Sequence, residues 1–165
     1  MTKILQIIKV GIADLKVTKS SEKLRTSGLG SCVGIVLYDE FHKAAGMAHI
    51  MLPDFSLARK GDITRCKYAD TAIEDLLVKL SRSGADSFRL KAKIAGGAQM
   101  FQFTPASEMM RIGPRNVEAV KNKLASLRIP IEAQDVGGQS GRTIEFNSLT
   151  SNLHIKSVNK EEMII

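Results

Sequence analysis

A cysteine set among glycines is the first place where this sequence invites chemistry. The stretch TSGLGSCVGI, Thr26 to Ile35, crowds small residues before Cys32 and then turns strand-like. A thiol becomes a strong nucleophile when a neighbouring base takes its proton, so a histidine within reach is the first thing to look for. If residues 39–42 form a four-residue hairpin loop, Tyr38 lies opposite Lys43 and Cys32 lies opposite His49. Directly opposed side chains share one face with Cβ atoms about 4.5–5.5 Å apart, and a slip of one residue would send them to opposite faces. The same register sets Val33, Ile35 and Leu37 against Ala48, Gly46 and Ala44, an apolar face suited to a core. The backbone N–H groups of GLGSC, around Gly30 and Ser31, are placed to hold an oxyanion if they point at the reacting carbonyl. A base of this kind needs a third group to orient its ring. Thr26, Asp39 and Asp54 are all near in sequence, and spacing does not choose among them.

Two other readings compete for the same stretch. Gly28, Gly30 and Gly34 resemble a dinucleotide fingerprint, but that motif needs a helix to leave the loop, and VGIVLY reads as a strand. There is no GxxxxGK[ST] sequence either. The plainer alternative is a tight glycine turn beside a cysteine that serves as a small apolar core residue.

The elements that must carry these residues follow from periodicity. Residues 4–18 read as a strand bent at Gly11, 19–25 as a polar connection, Val33–Tyr38 and Ala44–Leu52 as strands, and Pro53 as a stop. Residues 54–65, DFSLARKGDITR, have no clear period, and a loop this long is often functional. Its Arg59 and Lys60, with Arg65, are the basic residues expected to form a docking surface. Ala69, Ala72, Ile73, Leu76, Leu77 and Leu80 form one helical stripe, closed by Gly84. Phe88–Ala95 reads as a strand. Pro114 opens a second helix with a stripe of Val117, Val120, Leu124 and Leu127, and Arg115 and Asn116 at its start are placed to tie loops together. Ile129–Val136, Thr143–Phe146 and Leu153–Val158 complete about seven strands, and KEEMII ends the chain. Consecutive early strands with no helices between them argue an α+β fold, with a mainly antiparallel or mixed sheet covered by two long helices.

Composition bounds the function. The 165 residues suit one domain, 1–165 with a core of about 8–158. No apolar run reaches the roughly 18 residues of a membrane span, and the N-terminus lacks the features of a signal peptide. Two cysteines without a CxxC fit reduced thiols and a cytoplasmic protein. The histidines do not sit at zinc-ligand spacing with either cysteine, so no metal or other cofactor is expected. The net charge of +7 favours acidic partners. Scattered basic residues with no Trp and two Tyr argue against nucleic acid.

TSGLGSC (26–32), AHIMLP (48–53), KYAD (67–70), AKIAGGAQMF (92–101), IGPRN (112–116) and DVGGQSGR (135–142) occur in this order. Together they closely resemble the CheD family of chemoreceptor glutamine deamidases, across roughly residues 8–158. The resemblance implies a cysteine hydrolase that turns selected receptor glutamines into glutamates. It implies a catalytic set of Cys32, His49 and Thr26, with Ser27 standing where many members have Leu. It also implies an α/β sandwich resembling deamidase domains of the cytotoxic necrotizing factor type. The expected partners are the cytoplasmic helical region of methyl-accepting receptors and a CheC-type phosphatase acting on phosphorylated CheY. In a non-catalytic alternative the chain would act mainly as a regulatory partner of that phosphatase. Phe101, in the apolar run after Gly96-Gly97, is the expected contact residue.

Overall fold

The computed structural model describes residues 4–18, 21–100 and 111–165. Among the described residues are ten strands and two α-helices: β1 (Gln6–Lys9), β2 (Asp14–Val17), β3 (Glu22–Leu29), β4 (Val33–Asp39), β5 (Ala44–Ile50), α1 (Ala69–Arg82), β6 (Lys91–Gly96), α2 (Ile112–Ser126), β7 (Ile131–Val136), β8 (Arg142–Asn147), β9 (Asn152–Ser157) and β10 (Met163–Ile164). The strands form two five-stranded mixed sheets, ordered β1-β3-β8-β9-β10 and β2-β5-β4-β6-β7. The fold is α+β, as the order of elements predicts, but with two sheets in place of one. The turn just after Gly11, at Ile12 and Ala13 with Ala13 at a φ of 57°, is the reason. β1 pairs parallel to β3 in the first sheet, and β2 pairs antiparallel to β5 in the second. What reads as one bent strand is a crossing between sheets. The supposed polar connection 19–25 contains the start of β3, whose alternation buries Leu24 and Thr26 and exposes Arg25.

The second sheet is buried on both faces, which is why β4 and β5 are buried along their whole length. Val33, Ile35, Leu37, Ala48, Ile50 and Ile94 meet the stripes of α1 (Ala69, Ala72, Ile73, Leu76, Leu80) and α2 (Val120, Leu124). On the other face Val36, Tyr38, Ala45 and Met47 pack against Leu24, Leu29, Ile144, Phe146, Leu153 and Ile155 of the first sheet. α1 ends as its sequence predicts. Gly84 has a φ of 96°, and the N–H of Ala85 returns to the Leu80 carbonyl at 3.1 Å, the hydrogen bond that closes a helix through a left-handed glycine.

The β4–β5 hairpin closes one residue later than expected. Asp39 pairs with Ala44, and Gly34, not Cys32, lies opposite His49. The cause is local. The Asp39 carboxylate accepts hydrogen bonds from the N–H groups of Phe41 and His42, and Lys43 takes a φ of 55° to turn the chain. Asp39 therefore ends the strand, and the loop is 40–43. The shift is two residues along the pairing, so the face is kept. Cys32 lies diagonally from His49, on the side facing the first sheet.

Candidate active site

β3 approaches the site with Thr26 pointing inward, then breaks register between Thr26 and Leu29. Gly28 takes a φ of 76° in this bulge, and the chain leaves the first sheet as the GLGSC loop. The loop is held by the exit of β6. The N–H of Ala98 donates to the Gly30 carbonyl and that of Gly97 to the Cys32 carbonyl, each at 2.8 Å. Such close approach needs glycine. A Cβ on Gly96 would stand 2.3 Å from the Cys32 carbonyl oxygen, and one on Gly113 the same distance from that of Ala98. The start of α2 thus packs against the strand exit that holds the cysteine.

His49 is fully buried on β5, between the sheets. Its Nδ1 lies 2.7 Å from the Thr26 hydroxyl, across the sandwich from the other sheet. The hydroxyl has one proton, and it donates that proton to the Val10 carbonyl at 2.8 Å. It must therefore accept from Nδ1–H, which fixes the tautomer. The lone pair sits on Nε2, which is buried and has no hydrogen-bond partner among the described residues. Gly34, opposite His49, places no side chain between His49 and Cys32. The structure brings Thr26 to His49, and neither of the other two candidates. Asp39 is at the far end of the hairpin, bound to His42, and Asp54 accepts from Ser56 N–H. Asp14, the cross-strand neighbour of His49 on β2, binds the N–H of Leu15.

Burial dominates the electrostatics. It pushes the His49 imidazole down to about 4 and raises the Cys32 thiol, an effect its own backbone N–H partly opposes. Both shifts favour uncharged partners. A neutral thiol at Cys32 and a neutral imidazole at His49 are the forms that burial favours.

Of the loop residues, Gly30 uses its own N–H on the Gly28 carbonyl at 3.1 Å. The Ser31 and Cys32 N–H groups donate to no other residue among the described residues. Gly30 instead provides room, since a Cβ there would touch Met100 Cγ at 3.3 Å. Arg59 and Lys60 are exposed. Arg65 is exposed too but is bound to Asp75, with Nε at 3.0 Å, and to Glu74 at 3.3 Å, so its charge is largely matched within the chain. Phe101 lies outside the described residues. Among the described residues no group of three or more His, Cys, Asp and Glu is placed to hold a metal ion, and no helix is long and apolar enough to cross a membrane.

Several groups that shape the site carry no signal in the sequence. The Val10 carbonyl and the Gly97 and Ala98 amides are backbone groups brought in by tertiary packing. Asn116 is different: it reads as a loop tie at a helix start, and it is a fully buried side chain that reaches the cysteine loop.

The comparisons with known proteins agree on one family. Residues 51–157 match the family model described as CheD chemotactic sensory transduction. The chain is 60% identical over 156 residues to the chemoreceptor glutamine deamidase CheD of Halalkalibacterium halodurans, covering 94% of this chain and 96% of that protein. It is 50% identical over 159 residues to the protein of the same name from Bacillus subtilis, covering 96% of each. It is 55% identical over 157 residues to a probable chemoreceptor glutamine deamidase CheD of Lachnoclostridium phytofermentans, covering 95% of this chain and 97% of that one.

Proposed function

The chain belongs to the CheD family, and from that premise we propose that it is a cysteine-dependent amidohydrolase that deamidates glutamine side chains of methyl-accepting chemotaxis receptors. The observation that carries the chemistry is the Val10–Thr26–His49 chain of hydrogen bonds, which leaves the Nε2 lone pair free on the face that also holds Cys32.

Cys32 Sγ attacks the side-chain carboxamide carbon of the glutamine as its proton passes to His49 Nε2. The carbonyl oxygen becomes an oxyanion facing the loop amides. The C–N bond then breaks, His49 returns the proton to the leaving nitrogen, and ammonia departs from a thioester. Water attacks the thioester carbon and gives a proton to His49. The C–S bond breaks, the sulfur takes that proton back, and glutamate is released. Thr26 holds the ring through both half-reactions.

Exposed Arg59 and Lys60, with the basic balance of the chain, favour steering to an acidic receptor helix. In the same proposal the chain is one domain, since β4–β6 contribute to both apolar clusters. The likeness to deamidase domains of the cytotoxic necrotizing factor type and action in the cytoplasm also belong to this reading. Met100, 46% exposed beside Gly30, favours a second reading in which a helix of a CheC-type phosphatase docks over the same mouth.

The test is ammonia release with mass spectrometry on a receptor cytoplasmic fragment. Wild type is expected to add about 1 Da per glutamine converted, the exchange of NH₂ for OH in the thioester route, and Cys32→Ala to add none. No conversion by wild type on a receptor from the same organism would overturn the enzyme reading. Retained binding of a CheC-type protein by Cys32→Ala would show that the two readings separate.

A further inference from the structure

Three successive carbonyls of the cysteine loop are pinned. The Gly30 carbonyl accepts from Ala98 N–H and the Cys32 carbonyl from Gly97 N–H, both backbone donors. The carbonyl between them, that of Ser31, is held by a side chain: Asn116 Nδ2 donates to it at 2.9 Å. The same nitrogen donates at 2.9 Å to the carbonyl of Met51, two residues beyond His49. One carboxamide thus joins the peptide just before the thiol to the chain just after the imidazole.

A trans peptide points its C=O and its N–H in opposite directions. Holding the Ser31 carbonyl toward Asn116 therefore turns the Cys32 N–H away from Asn116. Holding the Gly30 carbonyl does the same for the Ser31 N–H. The Ser31 and Cys32 amides, which donate to no other residue among the described residues, are the two whose planes are fixed from behind. Asn116 is fully buried, and its Oδ1 is buried with no hydrogen-bond partner among the described residues. An unsatisfied buried acceptor costs on the order of 1–3 kcal/mol. A side chain kept at such a cost fits a position shaped by chemistry more than by stability.

Building on the deamidase reading above, we propose that Asn116 is a positioning residue for the oxyanion: it fixes the Ser31–Cys32 peptide so that the Cys32 N–H meets the oxygen of the tetrahedral intermediate. It touches neither the thiol's proton path nor the substrate.

The test separates oxyanion support from nucleophile placement. Asn116→Ala and the near-isosteric Asn116→Asp, which has no N–H to donate, are compared with wild type in two reactions. The first is deamidation of the receptor fragment. The second is alkylation of Cys32 by iodoacetamide, followed by peptide mass mapping because Cys66 is also a free thiol. Alkylation displaces iodide at a saturated carbon and develops no oxyanion. The expected result is a loss of about 10²-fold in kcat, the scale of one oxyanion donor, with KM and the alkylation rate unchanged within about twofold. A parallel fall of alkylation, or unchanged deamidation, overturns the inference while leaving the deamidase reading intact. An inactive wild type overturns the reading itself. If neither variant folds, the readout moves to wild type with a peptide carrying an aldehyde in place of the side-chain amide. The hemithioacetal it forms is expected to move the Cys32 amide proton downfield, and an unmoved resonance overturns the inference.

Discussion

His42 and His49 belong to the same hairpin, and each binds a partner through Nδ1. At the turn, His42 lies 2.5 Å from a carboxylate oxygen of Asp39, with 41% of its side chain exposed. Near the other end, His49 is wholly buried against the neutral hydroxyl of Thr26. Burial raises the Asp39 carboxyl, but the N–H groups of Asp86 and His42 and the His42 ring more than offset it, so it stays below its ordinary value. A carboxylate partner that also holds the N–H groups of Phe41 and His42 makes a brace for the turn. A hydroxyl partner whose own proton is already given away suits a neutral ring and leaves a base. The residue type is the same at both ends, and the partner and the water decide which job it does.

The sharpest way to break this comparison is to delete each ring. His49→Gln is expected to lower deamidation by about 10³-fold, within the range of general acid–base catalysis. His42→Gln is expected to leave kcat/KM unchanged within about twofold, as a change outside the reacting groups should. Receptor-fragment assays on both, with thermal melts to confirm folding, check this. Equal losses would mean that the turn is coupled to the site and that the two ends are not separate devices.

A smaller effect is expected at Thr26. Thr26→Val removes the group that fixes the His49 tautomer but leaves thiol and imidazole in place. A loss of about 10–10²-fold is expected, less than at His49, because orientation is degraded while the base survives. Thr26→Ser keeps the hydroxyl and should recover most of the rate. A Thr26→Val loss as large as that of Cys32→Ala would give Thr26 a larger part in the reaction than holding a ring.

How far the sequence carries can be judged at these same residues. Face-sharing of Cys32 and His49 was legible, since alternation along β4 and β5 survives a shift of two in register. The register itself was not, because Asp39 closes the turn with its side chain, and hydrophobic alternation is blind to that. α1 and its glycine end were legible from a single apolar stripe. The crossing just after Gly11 was not, since a strand that bends and a strand that changes sheets have the same pattern. The choice of Thr26 over Asp39 and Asp54 came from resemblance alone at the sequence level. Only tertiary packing, which lays β3 across the face of β5, brings its hydroxyl to the ring.

The smallest effect expected is on stability, and it distinguishes the two ends by pH. His49 has its folded value lowered to about 4 by burial, against about 6.5 when unfolded. Between those values the unfolded chain binds the extra proton, so stability rises with pH across the window. The neutral ring's contribution is fully present above about 6.5 and is lost as pH falls through about 4, on the order of 3 kcal/mol in all. Asp39 behaves with the same sign in a lower window. Its folded value is depressed, so its contribution is present above the ordinary carboxylate range and is lost as pH falls through that depressed value. Urea unfolding of wild type between about pH 7.5 and about pH 4.5, a range that spans the imidazole window, should show a falling midpoint. His49→Gln should flatten that fall, and Asp39→Asn should leave its slope unchanged while lowering the whole curve. A slope that survives His49→Gln would place the titrating group elsewhere and would remove the case for a neutral, buried base at the site.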